Sequence, residues 1–567
     1  MSADKAMAQV GGERAVLDAA AQGLVYLPLG GAGEIGMNFY LYGCKGKWVM
    51  VELGITFAGN EFPGIDIITP DPGFAARLGD DLLAIVLTHA HEDHLGAVSL
   101  LWPRLRCPIY ATPFAAGLLR FKLEETGLEG EAEVHVIEPR SHLDLGPFAI
   151  DLITVAHSIP EANALAIHTP LGTVLHTGDW KLDPAPMIGD VTDEKALKSL
   201  GDEGVLAMVC DSTNVFVEGS SGSEGEVRKS LAEQVGRFSN RVFVTCFASN
   251  VARLESVALA ALAHGRHPAL VGRSLWRISE IARATGYLRD IPPFLTEHDV
   301  GMIPPDKILI LCTGSQGERN AALARIAAGD HANVVADPGD AVLFSSRVIP
   351  GNEREVSRIH NQLIGRGVTV VTDRQEFIHV SGHPARDEMR KMYEWVRPHI
   401  AIPMHGETRH LHHHEALAKE LHTPEPVIVT NGEAVCLAPG PARIVGRVAH
   451  GRFGLDGAKL VPLESKVMAS RQRIVRSGTA LVSLVLNGAG DLAAVPQVSA
   501  PGLLDDEADD AVLSQLEDDI EDVVSGLNRS RRCNDDAVAT AVGRAVRRSL
   551  KRICGKAPVI DIHVIRV

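Results

Sequence analysis

A chain of 567 residues exceeds the size at which a single core stops growing, so two or three domains are expected. Its 46% hydrophobic and 22% charged residues suit a globular protein; with no apolar run of bilayer length and a start (MSADKAMAQVGGERAV) too polar for a secretory signal, a cytoplasmic protein without membrane association is expected. The formal charge of -16 counts against non-specific coating of nucleic acid, which draws its affinity from Lys and Arg, but leaves open an enzyme that holds a few nucleotides in a cleft.

From Gly23 to about Asp211, short β-rich runs (25–29, 39–42, 48–51, 83–87, 152–156) each end at Gly, Asp or His. Early in this stretch, Gly31-Ala32-Gly33-Glu34-Ile35-Gly36 imitates a dinucleotide fingerprint, with Glu52 placed where an acid would meet a ribose. The fingerprint must open a helix, whereas Met37 to Tyr42 reads as a strand, so a tight strand-to-strand loop is expected. Directly after the run 83–87 comes Thr88-His89-Ala90-His91-Glu92-Asp93-His94, with three imidazoles and a carboxylate within six residues. An extended segment that then turns lets His89 and His91 serve one point and Asp93 and His94 a second point close by. Nitrogen and oxygen donors without thiolates suit zinc, or manganese where carboxylates dominate. His157 and Asp179 follow at the ends of later strands, in the order a common sheet edge requires.

From about 223 to 365 the texture becomes alternating α/β, with helical spacing at 251–263 and 323–328 and buried-strand runs at 241–245, 308–313 and 341–345. Thr313-Gly314-Ser315-Gln316-Gly317 lacks the Lys-Ser/Thr of a phosphate-binding P-loop and is expected to be a strand-to-helix turn facing the cleft. His410, His412, His413 and His414 sit on an expected helix, read as solvated and partly amphipathic rather than as a metal site. Ten acids crowd 505–522, and 534–553 then turns basic, with Val538, Val542, Val546 and Ile553 expected along one helical face. The eight cysteines are scattered with no CxxC pair, which indicates neither disulfides nor a thiolate zinc site.

The series HxHxDH, His157, Asp179, His405 resembles the metallo-β-lactamase superfamily. Further stretches narrow the resemblance to the β-CASP nucleases and their ribonuclease J branch: Pro28 to Gly36, Asp211-Ser-Thr-Asn214, Phe247-Ala-Ser-Asn250, Pro350-Gly-Asn-Glu353, His379-Val-Ser-Gly-His383 and Pro403-Met-His-Gly-Glu407. The resemblance implies an α/β protein: an αββα metallo-β-lactamase fold (23–210 and 372–445) behind an N-terminal extension (1–22), an inserted α/β β-CASP domain (211–371), a linker (446–463) and a small C-terminal α/β domain (464–567).

It further implies two Zn2+ per subunit, with Mn2+ or Mg2+ as alternatives in activity. His89, His91 and His157 would hold one ion and Asp93, His94 and His405 the other, with Asp179 between them. Asp211 and His383 become general-acid candidates, and His379, Val380, Ser381, Gly382 and His383 a phosphate pocket. The implied activity is 5′-to-3′ exonucleolytic hydrolysis of single-stranded RNA from 5′-monophosphate ends, with some endonucleolytic cleavage, in RNA maturation and decay. The implied partners are a second or further copies through the C-terminal domain, as a homodimer or homotetramer, and components of an RNA-decay complex.

Glu52 departs from the pattern, because the branch usually places Asp there to support the metal site. Two rivals follow. A small-molecule hydrolase on the same site would not need Asp211, Ser381 and His383, and a non-catalytic scaffold would not need all seven metal ligands.

Overall fold

The computed structural model describes residues 11–59, 61–505 and 508–567. Residues 1–10 of the expected extension, and Asp506 and Glu507 of the acidic run, lie outside the described residues. The chain divides into two compact units, 1–56 with 69–451 and 57–68 with 452–567.

The first unit is built around two facing sheets. One has eight strands, with Leu24–Gly30, Phe39–Cys44, Lys47–Val51 and Leu82–Val86 at its centre. The other has seven and runs from His142–Leu145 through Phe148–Thr154, Asn163–Thr169, Gly172–His176 and Ala207–Asp211 to Ile400–Met404 and Glu425–Pro426. Tyr26, Val49 and Val86 of the first sheet and Ile150, Leu165, Val209 and Ile402 of the second form one buried cluster between them. Helices Glu13–Gln22 and Pro113–Glu125 contact the first sheet. Glu194–Glu203, Arg386–Val396 and Thr408–Glu420 cover the second, burying Leu197, Met392 and Leu417 with Trp180. This is the αββα sandwich.

The insert carries a five-stranded, all-parallel sheet in the order His267–Val271, Ile308–Cys312, Val242–Thr245, Ala341–Phe344, Thr369–Thr372. Its apolar runs are buried on both faces, as a parallel sheet between helices requires. Arg253, in the first turn of helix Val251–Ala263, is 0% exposed. Its guanidinium donates to Glu224 Oε1 at 2.8 Å and Oε2 at 2.9 Å, to the Ser345 carbonyl at 2.9 Å and to the Ile378 carbonyl at 3.1 Å. One side chain thus ties two helices to a strand end and to the segment that carries His379.

The second unit contains a three-stranded sheet in which Thr479–Leu486 pairs antiparallel with Gln497–Ser499 and parallel with Val559–Arg566. Helices Asp510–Ser525 and Asp535–Cys554 pack on it through Leu516, Ile520, Val538, Val542, Val546 and Leu550. Ile553, expected on the buried face, is 40% exposed, and Leu550 occupies that place. Residues 446–463, expected as a linker, include the paired strands Arg452–Asp456 and Lys459–Pro462. Gly457, at φ 60°, turns the chain between them. The Asp-Gly turn signal for this hairpin was present in the sequence.

Because Arg253 and Glu224 are buried together, removing one partner strands the other's charge. Arg253→Ala is expected to lower the unfolding free energy by about 3–5 kcal/mol in a denaturant titration, and the double variant Arg253→Met/Glu224→Leu to recover most of that loss.

Candidate metal centre

The strands of the sandwich deliver their polar residues to one edge. Leu82–Val86 leads into Thr88 and His89, and His91, at φ -70° and ψ 149°, caps the one-turn helix Glu92–Leu95. The extended half presents His89 and His91, and the helical half presents Asp93 and His94. Crossing strands pin this turn, since Asn38 N donates to the Asp93 carbonyl at 2.9 Å and Leu53 N to the His94 carbonyl at 2.7 Å. Gly54 is obligatory beside it, because a Cβ there would stand 1.7 Å from the Asp93 carbonyl oxygen. His157, Asp179 and His405 follow the strands Phe148–Thr154, Gly172–His176 and Ile400–Met404.

Among the described residues four donor sets have their donor atoms within 4.8 Å of one another, and two of them are the expected ones: His89, His91, His157 and Asp179, and Asp93, His94, Asp179 and His405. Asp179 belongs to both. In the first set, His91 Nδ1 lies 3.1 Å from His89 Nε2 and 3.0 Å from His157 Nε2. Burial, then neighbouring imidazoles, holds His89 and His157 well below the usual histidine range, and burial brings His91 down to about 4. His157 Nδ1 donates to the Gly382 carbonyl at 2.6 Å, which turns its Nε2 lone pair inward. Three neutral imidazoles with converging lone pairs fit a cation.

The second set is rich in carboxylate. His94 Nε2 lies 3.1 Å from Asp179 Oδ2, and His405 Nε2 lies 3.1 Å from Asp93 Oδ2. Burial alone would lower both imidazoles, but Asp179 with Glu52 and Asp93 for His94, and Asp179 with Asp211 and Asp93 for His405, raise them well above the usual range. Burial would raise Asp179, yet His405, His94 and His383 hold it well below the usual carboxylate range. Protons gather where positive charge is wanted, and a metal would replace them. The chemistry of both donor sets fits metal ions.

Glu52 is 0% exposed and adopts φ 66°. Its Oε1 accepts from Thr88 Oγ1 at 2.6 Å and stands 2.7 Å from His94 Nδ1, while Thr88 Oγ1 is 2.9 Å from His89 Nδ1. From this left-handed backbone position the carboxylate meets His94 directly and His89 through the Thr88 hydroxyl.

Beside the metal site, His383 Nδ1 is 2.8 Å from Asp211 Oδ2, and Asp211 Oδ1 accepts from Thr213 N at 2.8 Å and Thr213 Oγ1 at 2.7 Å. Burial would raise Asp211 and lower His383, but their pairing reverses both, so the proton resides on the imidazole. Asn214 donates to Ser381 Oγ at 2.8 Å and to the His383 carbonyl at 3.1 Å, fixing the 379–383 turn. Val380 is buried, and His379 Nδ1 is buried without a hydrogen-bond partner. Thr88, Asn38, Thr213 and Asn214 were not singled out as orienting residues by their sequence positions; only Asp211 to Asn214, quoted as a motif, pointed to two of them.

The cluster on helix Thr408–Glu420 requires a correction. His412 and His413 are exposed, but His410 and His414 are buried. His414 lies between Ser212 Oγ at 2.8 Å and Tyr393 OH at 2.9 Å. It is a core histidine, because the helix packs that face on the second sheet.

Family profiles match along the chain: the metallo-β-lactamase superfamily over residues 33–199, the ribonuclease J β-CASP domain over 239–363, the Zn-dependent metallo-hydrolase RNA specificity domain over 367–432 and the ribonuclease J C-terminal domain over 466–567. Ribonuclease J of Sinorhizobium meliloti is 44% identical over 550 residues, covering 96% of this chain and 97% of that protein. Ribonuclease J of Mycolicibacterium smegmatis is 37% identical over 96% of this chain and 98% of its own length, and that of Thermus thermophilus 36% over 81% of each.

Burial lowers His414 from 6.5 to about 4, so the unfolded chain holds the extra proton between those values. Stability is expected to fall by about 3 kcal/mol as pH drops from 6.5 towards 4 on account of this residue. Unfolding titrations of wild type and His414→Gln across that window should show a shallower pH dependence in the variant.

Proposed function

This chain belongs to the ribonuclease J family, and from that premise we propose that it works with two zinc ions and degrades RNA from the 5′ end, favouring 5′-monophosphate ends, with some endonucleolytic cleavage. It is a metal-dependent ribonuclease with RNA as its substrate. The observation that carries the finer reading is the pair of donor sets joined at Asp179 and flanked by the Asp211–His383 pair.

His89, His91 and His157 would hold one ion and Asp93, His94 and His405 the other, with Asp179 shared. Bound there, the ions would activate water at neutral pH and offset charge on the phosphoryl oxygens in an in-line displacement. Glu52 and Thr88 orient His94 and His89 from behind. The protonated His383 is the proton donor to the leaving oxygen, and Asp211 keeps it charged and aimed, a division of labour that follows from which of the two holds the proton. The 379–383 turn would receive the 5′ phosphate through Ser381, backbone amides and imidazole. Self-association through the sheet unit of 479–566, and contact with other RNA-decay components, complete the proposal. Among the described residues no helix is long and apolar enough to cross a membrane.

The test is hydrolysis of matched 5′-monophosphate and 5′-triphosphate RNAs by zinc-loaded protein. The expected result is mononucleotide release that prefers the monophosphate, stops with chelator and falls at least about a hundredfold in His94→Ala. Equal inertness of wild type and His94→Ala would replace this reading with a non-catalytic scaffold. Separately, His383→Ala should cost about 10²–10⁴ in kcat and remove the fall in rate at alkaline pH that accompanies loss of the imidazolium proton.

A further inference from the structure

The turn that receives a 5′ phosphate in the reading above is close to electroneutral. Lys181 Nζ pairs with Asp183 at 2.9 Å, both side chains fully buried. Arg253 is matched by Glu224, and His383 by Asp211. Burial, with Arg253, Arg347 and Lys181, holds His379 neutral. A terminal monophosphate carries roughly -1.5 to -2 charge near neutral pH, more than any internal phosphodiester, and nothing in this set offsets it.

Arg347 is the exception. It follows the strand Ala341–Phe344 at the C-terminal edge of the parallel insert sheet, where open α/β sheets place their ligands. It is exposed, and among the described residues its guanidinium has no carboxylate partner, in a chain of net charge -16. Its backbone is held firmly on both sides. Ser345 Oγ donates to the Ile378 carbonyl at 2.6 Å, next to His379. On the other side, the Gln316 carboxamide donates to the Arg347 carbonyl at 2.9 Å and accepts from Ile349 N at 2.8 Å. An unpaired guanidinium on a fixed turn, beside a neutral phosphate pocket, has the planar fork that suits phosphate oxygens.

We propose that Arg347 is the residue that sets the preference of this enzyme for 5′-monophosphate ends, by clamping the terminal phosphate at the rim of the 379–383 turn. The proposal rests on the nuclease reading above but is tested apart from it. The first measurement is kcat/KM for 5′-monophosphate and 5′-hydroxyl RNAs of one sequence, in wild type, Arg347→Ala and Arg347→Lys. The second is fluorescence-anisotropy binding of the same two RNAs with chelator present, so that hydrolysis does not consume them.

In Arg347→Ala the monophosphate-to-hydroxyl ratio is expected to fall about tenfold to a hundredfold in both measurements, the loss of one charged hydrogen-bonding group. Lys, a point charge without the fork, should recover part of it. An Arg347→Ala variant that keeps the wild-type ratio, even at lower overall activity, overturns the inference, as does a wild type with no 5′ preference in binding. A wild type that binds the monophosphate RNA preferentially without cleaving any RNA would overturn the nuclease reading and leave the assignment of Arg347 standing.

Discussion

A buried carboxylate shared by two sets of imidazoles is the constraint on which this molecule turns. Asp179 sits at 2% exposure within reach of His89, His94, His157, His383 and His405, supplied by separate segments of the chain. An ionised carboxylate in such a place is tolerable only when positive charge surrounds it. The sandwich exists, in this sense, to bring those segments to one edge and hold them there. Its apolar interior, from Tyr26 to Ile402, supplies the rigidity that lets donors from distant segments converge within a few ångströms.

The insert solves a different problem. The turn that neighbours the metal donors needs support from outside the sandwich. The parallel sheet of the insert provides an edge of polar turns, and Arg253 and Glu224 join that edge to the segment carrying His379. A fully buried ion pair is costly to desolvate, but it fixes a register that an apolar contact would leave free to slide. The 379–383 turn is then held from one side by Asn214, next to the metal site, and from the other by the insert.

Much of this was legible in the sequence because the donors occur in a compact run with strand-end spacing, and because 83–87, 241–245 and 308–313 are short, apolar and β-branched enough to be buried strands. The site's outer layer was less visible. Thr88 and Asn38 are ordinary residues whose roles exist only when two strand ends cross, and no local spacing announces that. Glu52 was noticed as one methylene too long, but its left-handed backbone and its contact with Thr88 and His94 are properties of the fold. His414 looked like one imidazole of a solvated run because helical periodicity alone cannot tell which face of a helix meets a sheet. The hairpin at 452–462 was missed for the opposite reason: its Asp-Gly turn was in plain view, but the surrounding composition read as a connector.

The donor sets also differ in when the chain can complete them. His89, His91, His157 and Asp179 lie within 91 positions of one another, whereas His405 meets Asp93 across a sequence separation of 312 residues. During synthesis from the N-terminus, all four donors of the first set emerge before the insert, although His157 gains its Gly382 acceptor only later, whereas the second set lacks a donor until residue 405 is made. A chain cut short before the strand Ile400–Met404 would therefore lack one donor of the second set, whatever the state of the first.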